Sequence, residues 1–103
     1  MRQFDVFPNP SPRSRVAAPF IVLMQSHFVD EMPTALIAPL IREPRSGAFT
    51  RVSVAVRLDE ETLHLSLAEM APIMRTDLKR AVGSLRPHED DIRRALDRLF
   101  TGF

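Results

Sequence analysis

The chain reads as an α+β protein: a mainly antiparallel, twisted sheet of five or more short strands, completed by one C-terminal helix. Three observations predict this. Short apolar segments alternate with polar residues at the strand period of two, as in Gln3-Phe4-Asp5-Val6-Phe7, Val52-Ser53-Val54-Ala55-Val56 and Leu63-His64-Leu65-Ser66-Leu67. Proline-rich or acidic turn clusters separate them. Only the last stretch, Pro87 to Phe103, carries a helical period, with Ile92, Ala95, Leu96, Leu99, Phe100 and Phe103 at spacings of 3, 1, 3, 1 and 3.

The elements follow in order. Phe4 and Val6 share one face of a first strand, with Phe7 at its end. Pro8, Pro10 and Pro12, mixed with Asn9, Ser11, Arg13, Ser14 and Arg15, lack the donors of a ladder and predict an exposed, mobile, partner-binding loop. Phe20 to Met24 is apolar at every position, as in a strand covered on both faces. For so small a protein this predicts the helix on one face and a second subunit on the other. Ala35 to Ala38 reads as a strand ending at Pro39-Leu40, because a proline biases its predecessor to extended geometry. Arg42 to Thr50 is a polar excursion. Asp59-Glu60-Glu61 turns a hairpin between the two alternating segments. Ala68 to Met74 fits either a turn or a short buried strand, and Arg75 to Leu85 a short strand or helical turn leading through Gly83 into the helix.

That helix has matched ends. Pro87 suits a first turn, Glu89, Asp90 and Asp91 complement the positive end of the dipole, and Gly102 supplies a left-handed stop. Glu89 with Arg93 and Asp90 with Arg94 are acid-before-base pairs four apart. Such a helix, roughly 21 Å long by its rise per residue, delivers Thr101, Gly102, Phe103 and a free carboxylate to a defined place. Phe100 continues the core stripe, whereas Phe103 follows the stop and is free to anchor another protein.

Composition bounds the function. At 103 residues the sequence predicts one domain, 1–103, with about two thirds of its unfolded surface buried. A net charge of +1 argues against a binder that neutralises many phosphates. Thirteen of the fourteen basic residues are Arg, which favours forked contacts with carboxylates. The absence of cysteine excludes disulfides and thiolate metal sites and fits a reducing cytoplasm. The longest apolar run, Val16 to Met24, has nine residues and is too short to span a bilayer. His88, Glu89, Asp90 and Asp91 fan out around a helix by about 100° each and cannot converge on one metal. His27 and His64 have no partner histidine at ligand spacing, and neither a nucleophile elbow nor a phosphate-cradling glycine loop is present. No cofactor, metal or catalytic residue is therefore expected. Met24, Met32, Met70 and Met74 read as core gap-fillers. The basic segments holding Arg13, Arg15, Arg42 and Arg45 are expected to meet an acidic peptide.

Three blocks resemble the CcdB-type toxins of bacterial toxin–antitoxin modules. They are Gln3-Phe4-Asp5-Val6-Phe7, then Gln25-Ser26 with two bulky residues, Asp30 and Ala38-Pro39-Leu40, and finally Met70-Ala71 onward to Glu89, Asp91-Ile92, Ala95, Phe100, Gly102 and Phe103. The order and spacing of these blocks span essentially the whole chain. The resemblance implies an SH3-like barrel of the CcdB and MazF type, a homodimer without catalytic activity, and a role in plasmid maintenance. It implies a target in the DNA gyrase A subunit, between whose two copies the toxin inserts to trap gyrase on cleaved DNA. The matching target-facing positions are Phe28, Val29, Glu89, Arg93, Asp97, Phe100, Thr101, Gly102 and Phe103. It also implies a CcdA-like antitoxin whose disordered C-terminal segment wraps the toxin; its contact residues do not follow from the resemblance, and Arg13, Arg15, Arg42 and Arg45 are expected to meet it from their charge alone. The chain departs from the family in carrying Thr101 where the best-known members have a Trp that stacks on the target. Loss of such a side chain from an interface centre is worth ~2 kcal/mol or more. A MazF-like endoribonuclease and an inactive antitoxin-binding relative are the rival readings.

Overall fold

The computed structural model describes residues 1–26, 30–44 and 46–102. Among these described residues seven strands form one antiparallel sheet, and a helix closes one of its faces. They are β1 (Asp5–Pro8), β2 (Phe20–Leu23), β3 (Thr34–Ile41), β4 (Ser53–Leu58), β5 (Glu61–Ser66), β6 (Ala71–Met74) and β7 (Gly83–Ser84). The spatial order is β4-β5-β3-β2-β1-β7, with β6 pairing a second stretch of β3. A one-turn helix α1 (Ala48–Arg51) precedes β4, and α2 (Glu89–Thr101) ends the described chain. The expected fold class, a curled antiparallel sheet with a C-terminal helix, is the one observed.

Parity along the strands sorts the core into two layers, because successive side chains point to opposite faces. Even positions Val6, Val22, Ala38 and Leu40 join Val54, Val56, Leu63 and Leu65 in one cluster, which α2 covers with Ile92 and Ala95. Odd positions Phe7, Ile21, Leu23, Ala35 and Ile37 form the other, which Leu78 and Ile73 cover. The apolar run of β2 is thus buried on both faces within one chain, and its cover does not call for a second subunit. Ile73 and Leu78, from β6 and the segment after it, supply the layer that the sequence reading gave to a partner.

Several boundaries differ from the sequence expectation for local reasons. Phe4 lies outside the first ladder, at φ 72°, and its N–H donates to the carbonyl of Leu23. β3 runs through Pro39 instead of ending there. β6 pairs Thr34–Ile37 and β5 pairs Leu40–Ile41, so Pro39 falls in the gap between them, where no ladder donor is needed. The proline loop is pinned: the buried Asn9 donates through Nδ2 to the Ala18 carbonyl at 2.8 Å and to Ser14 Oγ at 2.9 Å, and accepts from the Ser11 N–H at 3.0 Å. Within Arg42 to Thr50, read as irregular, α1 begins at Ala48 after Gly47, whose φ is 67°. Ala71 to Met74 is an exposed edge strand and not a buried one. The hairpin is as expected, with Leu58 opposite Glu61, and both turn residues, Asp59 and Glu60, take positive φ as a two-residue primed turn requires.

Candidate functional site: the far end of the last helix

A 3-10 turn, Arg86–His88, with Pro87 in its first positions, leads into α2. The acidic first turn and the left-handed Gly102 stand where the sequence placed them, Gly102 at φ 80° with its N–H donating to the Asp97 carbonyl at 3.1 Å. Ile92 and Ala95 are fully buried, and Leu96 and Leu99 are half-buried against the same cluster. Phe100 is not in the core: 71% of it is exposed. At ~100° per residue it lies about 80° around the axis from Ile92 and about 140° from Ala95. An apolar spacing alone carried it into the stripe, but the sheet meets only the side centred between Ile92 and Ala95.

The opposite side carries the residues implied as target-facing. Glu89, Arg93, Asp97, Phe100 and Thr101 follow one another along the helix at four, four, three and one residues, within about 120° of arc. Glu89 and Arg93 form the expected pair, Arg93 Nε to Glu89 Oε2 at 3.2 Å. The expected pairing of Asp90 with Arg94 is replaced by Asp91 with Arg94, three apart, at 2.8 Å. The hydrogen bond and charge of Asp91 hold the Arg94 guanidinium still more firmly protonated than usual. Thr101 is exposed, and its Oγ1 donates to the Asp97 carbonyl at 2.7 Å, so its hydroxyl is turned back on the helix. Phe28, Val29, Phe103 and Arg45 lie outside the described residues.

Beside this end of α2 the chain forms a cleft that the sequence reading missed. Phe49, Arg51, Val52, Ala68, Arg98, Leu99 and Gly102 line about 450 Å³ of it. Arg98 Nε donates to the Arg51 carbonyl at 2.7 Å, tying α2 to α1. The basic residues expected to meet an acidic peptide stand elsewhere. Arg13 and Arg15 are exposed on the proline loop. Arg42 already holds Glu61 at 2.8 Å and donates to the Val16 carbonyl at 2.6 Å, so it fastens the loop to the hairpin. None of the three lines the cleft. No signal in the sequence could have joined Arg51 to Arg98 across 47 positions. Among the described residues no cluster of three or more His, Asp or Glu is placed to hold a metal, and no helix is long and apolar enough to cross a membrane.

This architecture is that of the MazF-like toxins. The Mycobacterium tuberculosis toxin MazF-mt6 superposes with a TM-score of 0.71 at 18% identity, with 96% of each chain covered. A mycobacterial endoribonuclease solved in complex with its cognate antitoxin gives 0.72 at 13% identity, covering 94% of this chain and 91% of that one. At such identities the likeness concerns the fold. No curated protein sequence matches. The profile of the CcdB protein family matches residues 3–102, and the chain belongs to that family. Membership supports the coarse reading of a toxin component of a toxin–antitoxin module.

Proposed function

We propose that this chain is a toxin that binds the DNA gyrase A subunit through the far end of α2 and traps gyrase on cleaved DNA. It acts as one domain over residues 1–103, as a cytoplasmic homodimer without catalytic activity of its own, and is neutralised by an antitoxin with an acidic disordered tail. The observation that carries this reading is the exposure of Phe100, 71%, beside Thr101 at the end of a helix whose other side is fixed in the core. A large aromatic that adds nothing to the core and stands on a rigid element has the character of an interface anchor. The family match over residues 3–102 supports the same target class. The test is a DNA cleavage assay with the gyrase of the organism that carries the gene. Linear DNA should accumulate with the wild type and not with Phe100→Ala. Absence of cleavage together with absence of growth arrest on expression would sink the proposal.

The names of the two similar structures, a MazF toxin and an endoribonuclease, favour a second reading, RNA cleavage. It predicts digestion of RNA that depends on Arg side chains and survives removal of Thr101 to Phe103.

A further inference from the structure

The cleft between α1 and the far end of α2 combines an apolar floor with two arginines that form no ion pair among the described residues. Phe49, Val52, Ala68 and Leu99 are its apolar lining residues, and Phe49 is 43% exposed. Arg51 and Arg98 flank this floor, both exposed. The chain forms ion pairs readily elsewhere: Arg42 with Glu61, Arg93 with Glu89, Arg94 with Asp91. Neither Arg51 nor Arg98 has such a partner among the described residues. Arg98 is moreover held in place by its bond to the Arg51 carbonyl, which leaves its two terminal nitrogens for a ligand and lowers the entropy lost on pairing.

We propose that this cleft docks an acidic peptide segment of the neutralising partner, which places an aliphatic or aromatic side chain against Phe49, Val52 and Leu99 and a carboxylate on either side of it against Arg51 and Arg98. The inference rests on the antitoxin half of the reading above and is independent of gyrase. It moves the acidic peptide's site from the proline loop and Arg42, whose fork is already used within the chain, to the helix end. Charge decides the occupant. A second copy seated face to face across this cleft would oppose Arg51 and Arg98 to their own equivalents. A nucleic acid would call for a longer run of cations than this pair, and the chain's net charge is only +1. A peptide that alternates acidic and apolar residues meets both features at once. Because Gly102 also lines the cleft, an occupant would sit against the segment proposed to meet gyrase.

The probe is a short fluorescein-labelled peptide in which Leu and Phe alternate with Asp and Glu, titrated with the intact protein and followed by anisotropy. The same peptide with Lys at every acidic position and a single-stranded RNA oligonucleotide serve as controls. The acidic peptide should bind, weaken with added salt, and shift the amide resonances of Phe49, Val52 and Leu99. Arg51→Glu should weaken it about tenfold; this variant keeps the bond from Arg98, which uses the main-chain carbonyl. Phe49→Ser should weaken it by a similar factor. Both residues are exposed, and an unchanged thermal melt confirms that each variant is folded. Failure of the acidic peptide to bind, equal binding of the Lys peptide, preference for the RNA, or affinity unchanged in Arg51→Glu would each overturn the proposal. Gyrase cleavage measured on the same samples separates this result from the target reading, since loss of peptide binding with cleavage intact leaves the latter standing.

Discussion

Two substitutions on one helix, eight residues apart, should differ sharply in stability although both remove large apolar side chains. Ile92 is fully buried in the main core cluster. Ile92→Ala removes three carbons, a transfer loss of about 2.4 kcal/mol at ~0.8 kcal/mol each. The cavity left behind brings the total to roughly 3–4 kcal/mol. For a domain of this size that lowers the melting temperature by roughly 15–25 °C. Phe100, 71% exposed, has little burial to lose, and Ala is the better helix former, so Phe100→Ala should cost less than about 1 kcal/mol. Urea unfolding followed by circular dichroism measures both. If Phe100→Ala costs as much as Ile92→Ala, the helix is rotated relative to the sheet, Phe100 is a core residue, and its standing as an interface anchor fails.

Other consequences are local. Gly102→Ala meets no atom within 4 Å of the added Cβ, so its cost is backbone strain at φ 80°, about 1 kcal/mol, readable by urea unfolding. Asn9→Ala strands the Ala18 carbonyl and the Ser11 N–H and should cost about 2 kcal/mol, with faster amide exchange across residues 10–18 by mass spectrometry. Glu60→Gly relieves a side chain held at φ 64° in the hairpin turn and should raise stability by about 0.5–1 kcal/mol, an effect a thermal melt resolves.

How far the sequence anticipated the structure depended on whether a feature was local. The alternating strands, the hairpin at Asp59-Glu60 and the capped helix rest on periodicity and turn chemistry that operate within a few residues, and they are where they were expected. Pro39 misled because a proline's cost in a strand depends on which neighbour lies opposite, and the gap between β5 and β6 is a property of the whole sheet. The second face of β2 misled for a similar reason, since Ile73 and Leu78 lie some fifty positions away in sequence. Asn9 looked like loop punctuation, and only the return of the chain at Ala18 makes it an anchor. On the candidate site, the residues along α2 were legible from the helix alone, apart from the side on which Phe100 falls. The cleft with Arg51 and Arg98 was not, because α1 is a single turn inside a polar stretch and acquires meaning only against the end of α2.

The central claim is that the end of α2 is the effector and the rest of the chain its mount. Isothermal titration of the host's gyrase A dimerisation fragment, with the intact protein and with a form lacking Thr101 to Phe103, tests it most directly. The intact protein should bind, and the shortened form should lose binding while keeping its far-ultraviolet circular dichroism and a melt within a few degrees of the parent, because the Thr101 hydroxyl and the Gly102 N–H both donate to the Asp97 carbonyl within the last turn. Equal binding by both forms, or none by the intact protein, would contradict the claim.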